Sequence, residues 1–342
     1  MKKRWVILGV VIIISLSAAA FFARFQGFWG QGGPGQEELH SIKMAGSLEA
    51  SGWHEYEVSM REIITAAFPE GYTVEITGTS GAIDNLKSID AGQAEVGLAV
   101  NVMAGWAADG AAAFDRKLEN VRGLIGGLSR CYVVVMANGK LGVRSLDEVF
   151  DKKLPINLFV APEGSGGEYI TRLVLEEYGV SYEHIKSWGG SVQQTSMEVI
   201  CEAMIDGRAD VFIHMIGTGH PSVNKITLNS DITILPLQED VIQRLVDAYG
   251  FEAAALPAGS FRGQDEKIAT VGAETSLVAN KDLPDDIAYI ITKTVCDNKD
   301  KLAEMHQALR DFNPQDAWEP TKIGAPLLGG AQKYYGEMGW MK

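Results

Sequence analysis

Cysteine is scarce in this chain: Cys131, Cys201 and Cys296 are all there is. They are too few and too scattered for a metal knuckle or a disulfide framework. Outside the cytoplasm one pair could oxidise and leave the third thiol free; Cys201 falls on the apolar side of a predicted helix, which favours a buried thiol there. Positive charge is also in short supply. Thirty Lys and Arg against 44 Asp and Glu give a formal charge of −14, and without Lys2, Lys3 and Arg4 the balance becomes −17. Such acidity argues against nucleic acid as a partner, since that binding wants clustered Lys and Arg.

Catalytic signatures are missing as well. The chain has no Gly-x-Ser-x-Gly elbow, no His-Glu-x-x-His and no His and carboxylates grouped at metal spacing. His214 and His220 lie six apart across a strand end and a loop, which does not pair them on a metal. Ser165 has no sequence-evident base. Neither a catalytic residue, nor a metal ligand, nor a cofactor is expected.

Long apolar runs are confined to the amino end. Lys2-Lys3-Arg4 precede an uncharged stretch from Trp5 to Ala23, closed by Arg24. A basic start, an apolar centre and the small residues Ser17-Ala18-Ala19-Ala20 read as an export signal. The run is also long enough to span a bilayer, so an uncleaved anchor is the competing reading of residues 1–25. Either way the rest of the chain is expected to be periplasmic or otherwise extracytoplasmic. Residues 26–40 read as a flexible linker, rich in Gly and Gln around Pro34.

What is present is a repeated grammar. One stretch runs through a strand into Gly78-Thr79-Ser80-Gly81, then a helix, then Ala91-Gly92-Gln93-Ala94-Glu95-Val96. A second runs through Ile185 into Trp188-Gly189-Gly190-Ser191, then a helix, then Asp206-Gly207-Arg208-Ala209-Asp210-Val211. Each reads as strand, glycine loop, amphipathic helix, tight turn, strand. In an open parallel sheet this aims helix N-termini at the strand ends, where ligands bind. Two such units predict an α/β protein of two lobes with a ligand cleft between them. Lobe I takes residues 41–128 plus 282–342, and lobe II takes 129–281. The chain then crosses between lobes twice, an arrangement that lets them close on a guest.

Candidate ligand-binding residues follow from that frame. Gly164-Ser165-Gly166-Gly167 at a helix start is a cradle for a carboxylate or phosphate, because bare N–H groups and the positive helix end favour an anion. A plain tight turn is the alternative. Ser80 is placed either to donate to a ligand or to cap the helix after it. Asn101 stands at the end of a buried strand, where a binding side chain would sit. Trp53 and His54, with Tyr56, either wall the pocket or pack beneath a loop. Arg130 and Tyr132 at the first crossing are placed to meet an anionic ligand, with a surface ion pair the competing use of Arg130. Gly217 and Thr218 form a further loop, and Pro221 opens the helix beyond it.

Several of these segments resemble the TAXI family of TRAP-transporter solute receptors. They are Thr79 to Gly110, Pro162 to Gly167, Asp206 to Phe212, the run Leu256-Pro257-Ala258-Gly259-Ser260-Phe261-Arg262-Gly263-Gln264-Asp265, and Asn280 to Asp286. The resemblance implies a two-lobed periplasmic binding protein fold, type II-like. It also implies a receptor that traps a small organic anion, often glutamate or a related dicarboxylate, for membrane subunits driven by an ion gradient. Carried over, the cleft is lined by Ser80, Asn101, Ser165, Gly166, Gly167 and the Gly217-Thr218 loop. The first loop, Gly46 to Tyr56, departs from the family's glycine-rich run with two tyrosines and adds Glu49 and Glu55. Gly167 stands where the family often has threonine. Competing readings are a membrane-tethered sensor that passes a signal to a partner, and a periplasmic enzyme on the same scaffold.

Overall fold

Short runs of Val, Ile, Leu and Ala separated by glycine turns set the strands of this protein, as alternating or fully apolar segments should. The computed structural model describes residues 40–47 and 52–341. The apolar run at 5–23, residues 26–39 of the linker and Glu49 therefore lie outside the described residues, while His40, read as the linker's last residue, opens a strand. No described helix is long and apolar enough to cross a membrane.

The first half of the chain supplies β1 (His40–Ser47), α1 (His54–Ala67), β2 (Tyr72–Thr79), α2 (Ala82–Asp90), β3 (Val96–Val100), α3 (Asn101–Asp109) and β4 (Val121–Ile125). Next come β5 (Arg130–Asn138), α4 (Leu146–Asp151), β6 (Asn157–Val160), α5 (Gly166–Glu177), α6 (Tyr182–Ser187), β7 (Ser191–Gln194), α7 (Met197–Ile205) and β8 (Val211–Gly217). The remainder is α8 (Pro221–Asn229), β9 (Ile232–Leu235), α9 (Glu239–Tyr249), β10 (Glu252–Leu256), β11 (Ile268–Asn280), α10 (Asp285–Asp297), α11 (Lys299–Met305), α12 (Pro320–Ile323) and α13 (Gly329–Glu337). Strand order is β2-β1-β3-β11-β5-β8-β6-β7, with β4 and β10 also paired to β11 and β9 to β5. This is a mixed α/β fold of two domains, type II-like in its strand order, as expected.

Strand β11 belongs to both halves. Its residues Gly272 to Glu274 pair antiparallel with Tyr132 to Arg130 of β5, and Thr275 to Ala279 pair with Val100 to Val96 of β3. Beside it the chain passes from β4 to β5. The two crossings are tied together: Thr275 donates its N–H to Ser129 O at 2.8 Å, and Leu128 donates to Thr275 O at 2.9 Å. The Ser129 hydroxyl reaches Thr275 Oγ1 at 3.0 Å in the same buried spot.

Three apolar clusters fill the layers. One lies behind the first sheet, around Met44, Met60, Leu98, Ile291 and Tyr335. Another lies behind the second, around Met136, Phe159, Met204 and Phe212. The largest runs across both, from Leu86 and Trp106 to Leu158, Ile170 and Phe251. Trp106 is its rivet, donating Nε1–H to Tyr249 O at 2.8 Å while its ring meets those of Tyr169, Tyr249 and Phe251.

The first repeat unit forms as read. The second does not: the segment before Trp188-Gly189-Gly190-Ser191 is the helix α6, and the strand, β7, comes after the glycines. Ser181 and His184 close a reciprocal cap at the start of α6, with Ser181 Oγ accepting from His184 N and His184 Nδ1 from Ser181 N. Gly189, at φ 90°, then ends the helix. Helix α1 turns Tyr56, Met60, Ile63 and Ile64 inward. The carboxy-terminal helix α13 buries Tyr334 and Tyr335. All three cysteines are free and buried.

Gly324 sits against α3 with φ +78°, and a Cβ there would lie 1.8 Å from Asn101 O. Gly324→Ala is expected to cost about 2–4 kcal/mol, combining a left-handed backbone with a clash against main chain. Urea denaturation measures it; a loss below about 0.5 kcal/mol would refute this account of the α12–α3 contact.

Candidate functional site

The ends of β8, α5, α8 and α1 come together where the two sheets meet. Along β8, Ile213 and Met215 turn to the shared core while Phe212 and Ile216 turn to the core behind the second sheet. His214 is placed opposite Val134 of β5, on the Phe212 side. Its ring lies against the first turn of α5: a Cβ on Gly167 would come 2.2 Å from His214 Cε1 and 2.5 Å from Nδ1. Glycine at 167 is thus a space requirement of the imidazole. Gly166 faces the first domain, its Cβ position 3.5 Å from Met103 and 3.9 Å from Ala82.

His220 stands at the start of α8 and faces the loop before α1. Gly52 donates its N–H to His220 Nε2 at 3.2 Å. Because Nε2 accepts, the proton of the neutral ring must sit on Nδ1. The Nδ1 atoms of His54, His214 and His220 are all buried, and none has a hydrogen-bond partner among the described residues. Burial holds the His214 imidazole down at about 4. Burial first, then the neighbouring His214 and His306, holds His220 down at about 3. Both rings are therefore uncharged at neutral pH. His306 lies edge-on to Tyr56 at 4.3 Å between centroids and 3.3 Å from Glu55 Oε2. Burial lowers its pKa, with Glu55 opposing the shift.

The residues singled out from the sequence fare unequally. Asn101 is buried and already committed: Oδ1 accepts from Val102 N and Glu274 N, both at 2.9 Å, and Nδ2 donates to Thr321 O at 2.7 Å. Ser165 caps α5, accepting from Glu168 N at 3.2 Å. Ser80 is exposed and donates to Asp84. Arg130 pairs with Glu252 at 2.5 Å and approaches Glu274 at 3.9 Å, so the competing ion-pair use prevails. Tyr132 is buried in the core behind the second sheet, and burial raises its pKa. Trp53 packs against two of the apolar clusters. Gly217, its Cβ position 3.6 Å from Arg130 O, and Thr218 close β8 beside the crossing. Sequence reasoning set His214 and His220 aside after rejecting them as a metal pair. The available signal was that His214 lies near the carboxyl end of a strand, where α/β folds place their ligands. Among the described residues no three His, Cys, Asp or Glu could hold a metal ion.

A family profile described as the NMT1-like family matches residues 45–339. The chain belongs to that family. Solved structures similar to this NMT1-like protein include "Structure of periplasmic binding protein BugD", at 13% identity over 88% of this chain and 95% of that one, with a TM-score of 0.55. MatC from Rhodopseudomonas palustris, with bound malate, matches at 13% identity over 88% and 97%, TM-score 0.54. A further R. palustris protein, Rpa4515 with adipate, matches at 12% over 88% and 95%, TM-score 0.53. At these identities the likeness establishes the fold.

Two outcomes follow. Asn101→Ala is expected to cost about 2 kcal/mol, because the Glu274 N–H and Thr321 carbonyl lose their partner. Unchanged urea stability with lost ligand affinity would return Asn101 to the ligand. Below pH 6.5 the unfolded chain takes up protons that folded His214 and His220 refuse, so stability is full above about 6.5 and falls as pH drops toward 4 and 3. The decline is on the order of 3 kcal/mol for His214 by pH 4. His214→Gln should flatten it in denaturation series at pH 7 and pH 4.5; an unaltered slope would count against burial as the cause.

Proposed function

We propose that this protein is an extracytoplasmic solute-binding receptor of a TRAP-type secondary transporter, capturing a small organic anion between its lobes. The observation that carries the reading is the group of buried imidazole nitrogens at the seam of two domains, polar atoms without a partner among the described residues. A binding cleft in this fold lies between two lobes that the chain enters twice, and β11 with the β4–β5 link provides two passages. The reading divides the chain into lobe I of residues 41–128 plus 282–342 and lobe II of 129–281, except that Thr275 to Ala279, which pair with β3, side with lobe I while Gly272 to Glu274 pair with β5. Malate and adipate in two proteins of the same fold suit the glutamate- or dicarboxylate-like ligand that the TAXI resemblance implies. Export by the amino-terminal apolar segment and delivery to TRAP membrane subunits complete the reading.

Among the predicted loops, those at Ser165 to Gly167 and at Gly217-Thr218 adjoin this seam, as do Trp53 and His54. Ser80, Asn101, Arg130 and Tyr132 act behind them, holding the loops and the crossing. The expected test is thermal: the purified protein, titrated with L-glutamate, L-malate, adipate and other small organic acids, should melt several degrees higher with its ligand. Ligand at a hundredfold its Kd adds roughly 2.7 kcal/mol of stability by mass action. No rise with any small organic acid would sink the receptor reading.

A further inference from the structure

We infer that His220 and His214 form the polar end of the ligand site, with the His220 Nδ1–H donating to one carboxylate or carbonyl oxygen of the guest. This rests on the receptor reading and goes further, naming the contact and the group it takes. The first support is the tautomer. With Nε2 accepting from Gly52 N at 3.2 Å, His220 has its proton on Nδ1, and that buried donor has no acceptor among the described residues. A buried donor without an acceptor costs more than a made hydrogen bond returns, so such an atom calls for a partner from outside the chain. His214 Nδ1 is in the same state, and its ring is near enough to disfavour a charge on His220.

The second support is where charge is already committed. Arg130 pairs with Glu252 and approaches Glu274, while Lys322 pairs with Asp316 at 3.0 Å. Cations beside the crossing are therefore matched to carboxylates. Recognition of a ligand oxygen falls to dipoles: the imidazole N–H and the first turn of α5, where a helix start leaves its leading N–H groups outside intrahelical bonding. Gly167 keeps that turn bare because His214 occupies the space of a Cβ. The third support is position. His220 is held by the Gly52 loop of one domain while it opens a helix of the other, so an oxygen bound to it rests on a side chain that both domains hold.

Two substitutions separate the ligand contact from the Gly52 contact. His220→Gln keeps an acceptor reaching toward Gly52 and removes the donor near the backbone; His220→Asn does the reverse. Isothermal titration of the wild type and both variants with L-glutamate, L-malate and adipate reads the outcome. His220→Gln should lose about tenfold or more in affinity, the worth of a hydrogen bond to a charged group, and His220→Asn should recover most of it. Equal losses in both variants, or wild-type affinity in His220→Gln, overturn the inference while leaving the receptor reading intact. Wild-type protein that binds none of the three acids overturns this contact, and the failure of the wider acid screen is what would sink the receptor reading. Nitrogen-15 spectra of the imidazoles give a second, ligand-free readout: a proton on Nε2 of His220 overturns it, and a proton on Nδ1 upholds it.

Discussion

Everything in this fold hangs on one strand that serves two sheets. Strand β11 is 13 residues long, more than twice a usual strand, and its hydrogen bonds are divided between β5 on one side of Thr275 and β3 on the other. A strand of that length cannot slip by a single residue without turning every side chain to the wrong face of both sheets. The register of one domain thereby fixes that of the other. The short link between β4 and β5 runs beside it, and Ser129 with Thr275 ties the two by buried backbone and side-chain bonds. Relative motion of the domains has to be taken up in these two adjacent segments. Asn101 bears on the same place, since its carbonyl oxygen holds the Glu274 N–H at the point where β11 changes partners.

Away from the crossing the domains meet through a few well-defined contacts. Trp106 inserts among Tyr169, Tyr249 and Phe251, and its indole N–H is satisfied by a backbone carbonyl. That contact is apolar and broad, so it supplies adhesion. The Gly52–His220 bond and the approach of Gly166 to Met103 are narrow and directional. They set how the jaws line up. The same glycines that read as an anion cradle in the sequence are also packing devices: Gly167 clears His214, and Gly166 lets α5 approach the first domain.

Much of the architecture was legible because apolar periodicity reports burial directly. Ile83, Leu86 and Ile89 stand three apart in the sequence and are buried on α2, the five apolar residues of β3 are all buried, and Ile170, Leu173 and Val174 form the buried stripe of α5. The second repeat was misread because Trp188-Gly189-Gly190 resembles a strand-to-helix loop, and only the Ser181–His184 cap shows that a helix precedes it. The site was less legible for a different reason. A polar side chain at a strand end can be used by a ligand or by the backbone, and sequence does not distinguish the two. Asn101 and Ser165 went to the backbone, as did the Arg130 guanidinium to neighbouring carboxylates. His214 and His220 look like scattered histidines until the fold brings β8 and α8 to the Gly52 loop.

The proposed capture of an anion by so acidic a protein raises an electrostatic difficulty, and the arrangement of charge at the seam answers it within that proposal. With a net charge of −14 the long-range field opposes an approaching anion, though salt confines that field to within about 10 Å. A cleft cation would invite its own carboxylate partners from so acidic a surface, and Arg130, facing Glu252 and Glu274, shows that happening. A neutral imidazole is exempt from that competition. Burial removes its charge, leaving a directional N–H that a carboxylate of the protein has little reason to seek and that a desolvated guest can use at full strength. The ring pays for its neutrality only below pH 6.5, where the folded state refuses a proton, so the proposed recognition by dipoles would hold over the range in which a carboxylate guest stays ionised.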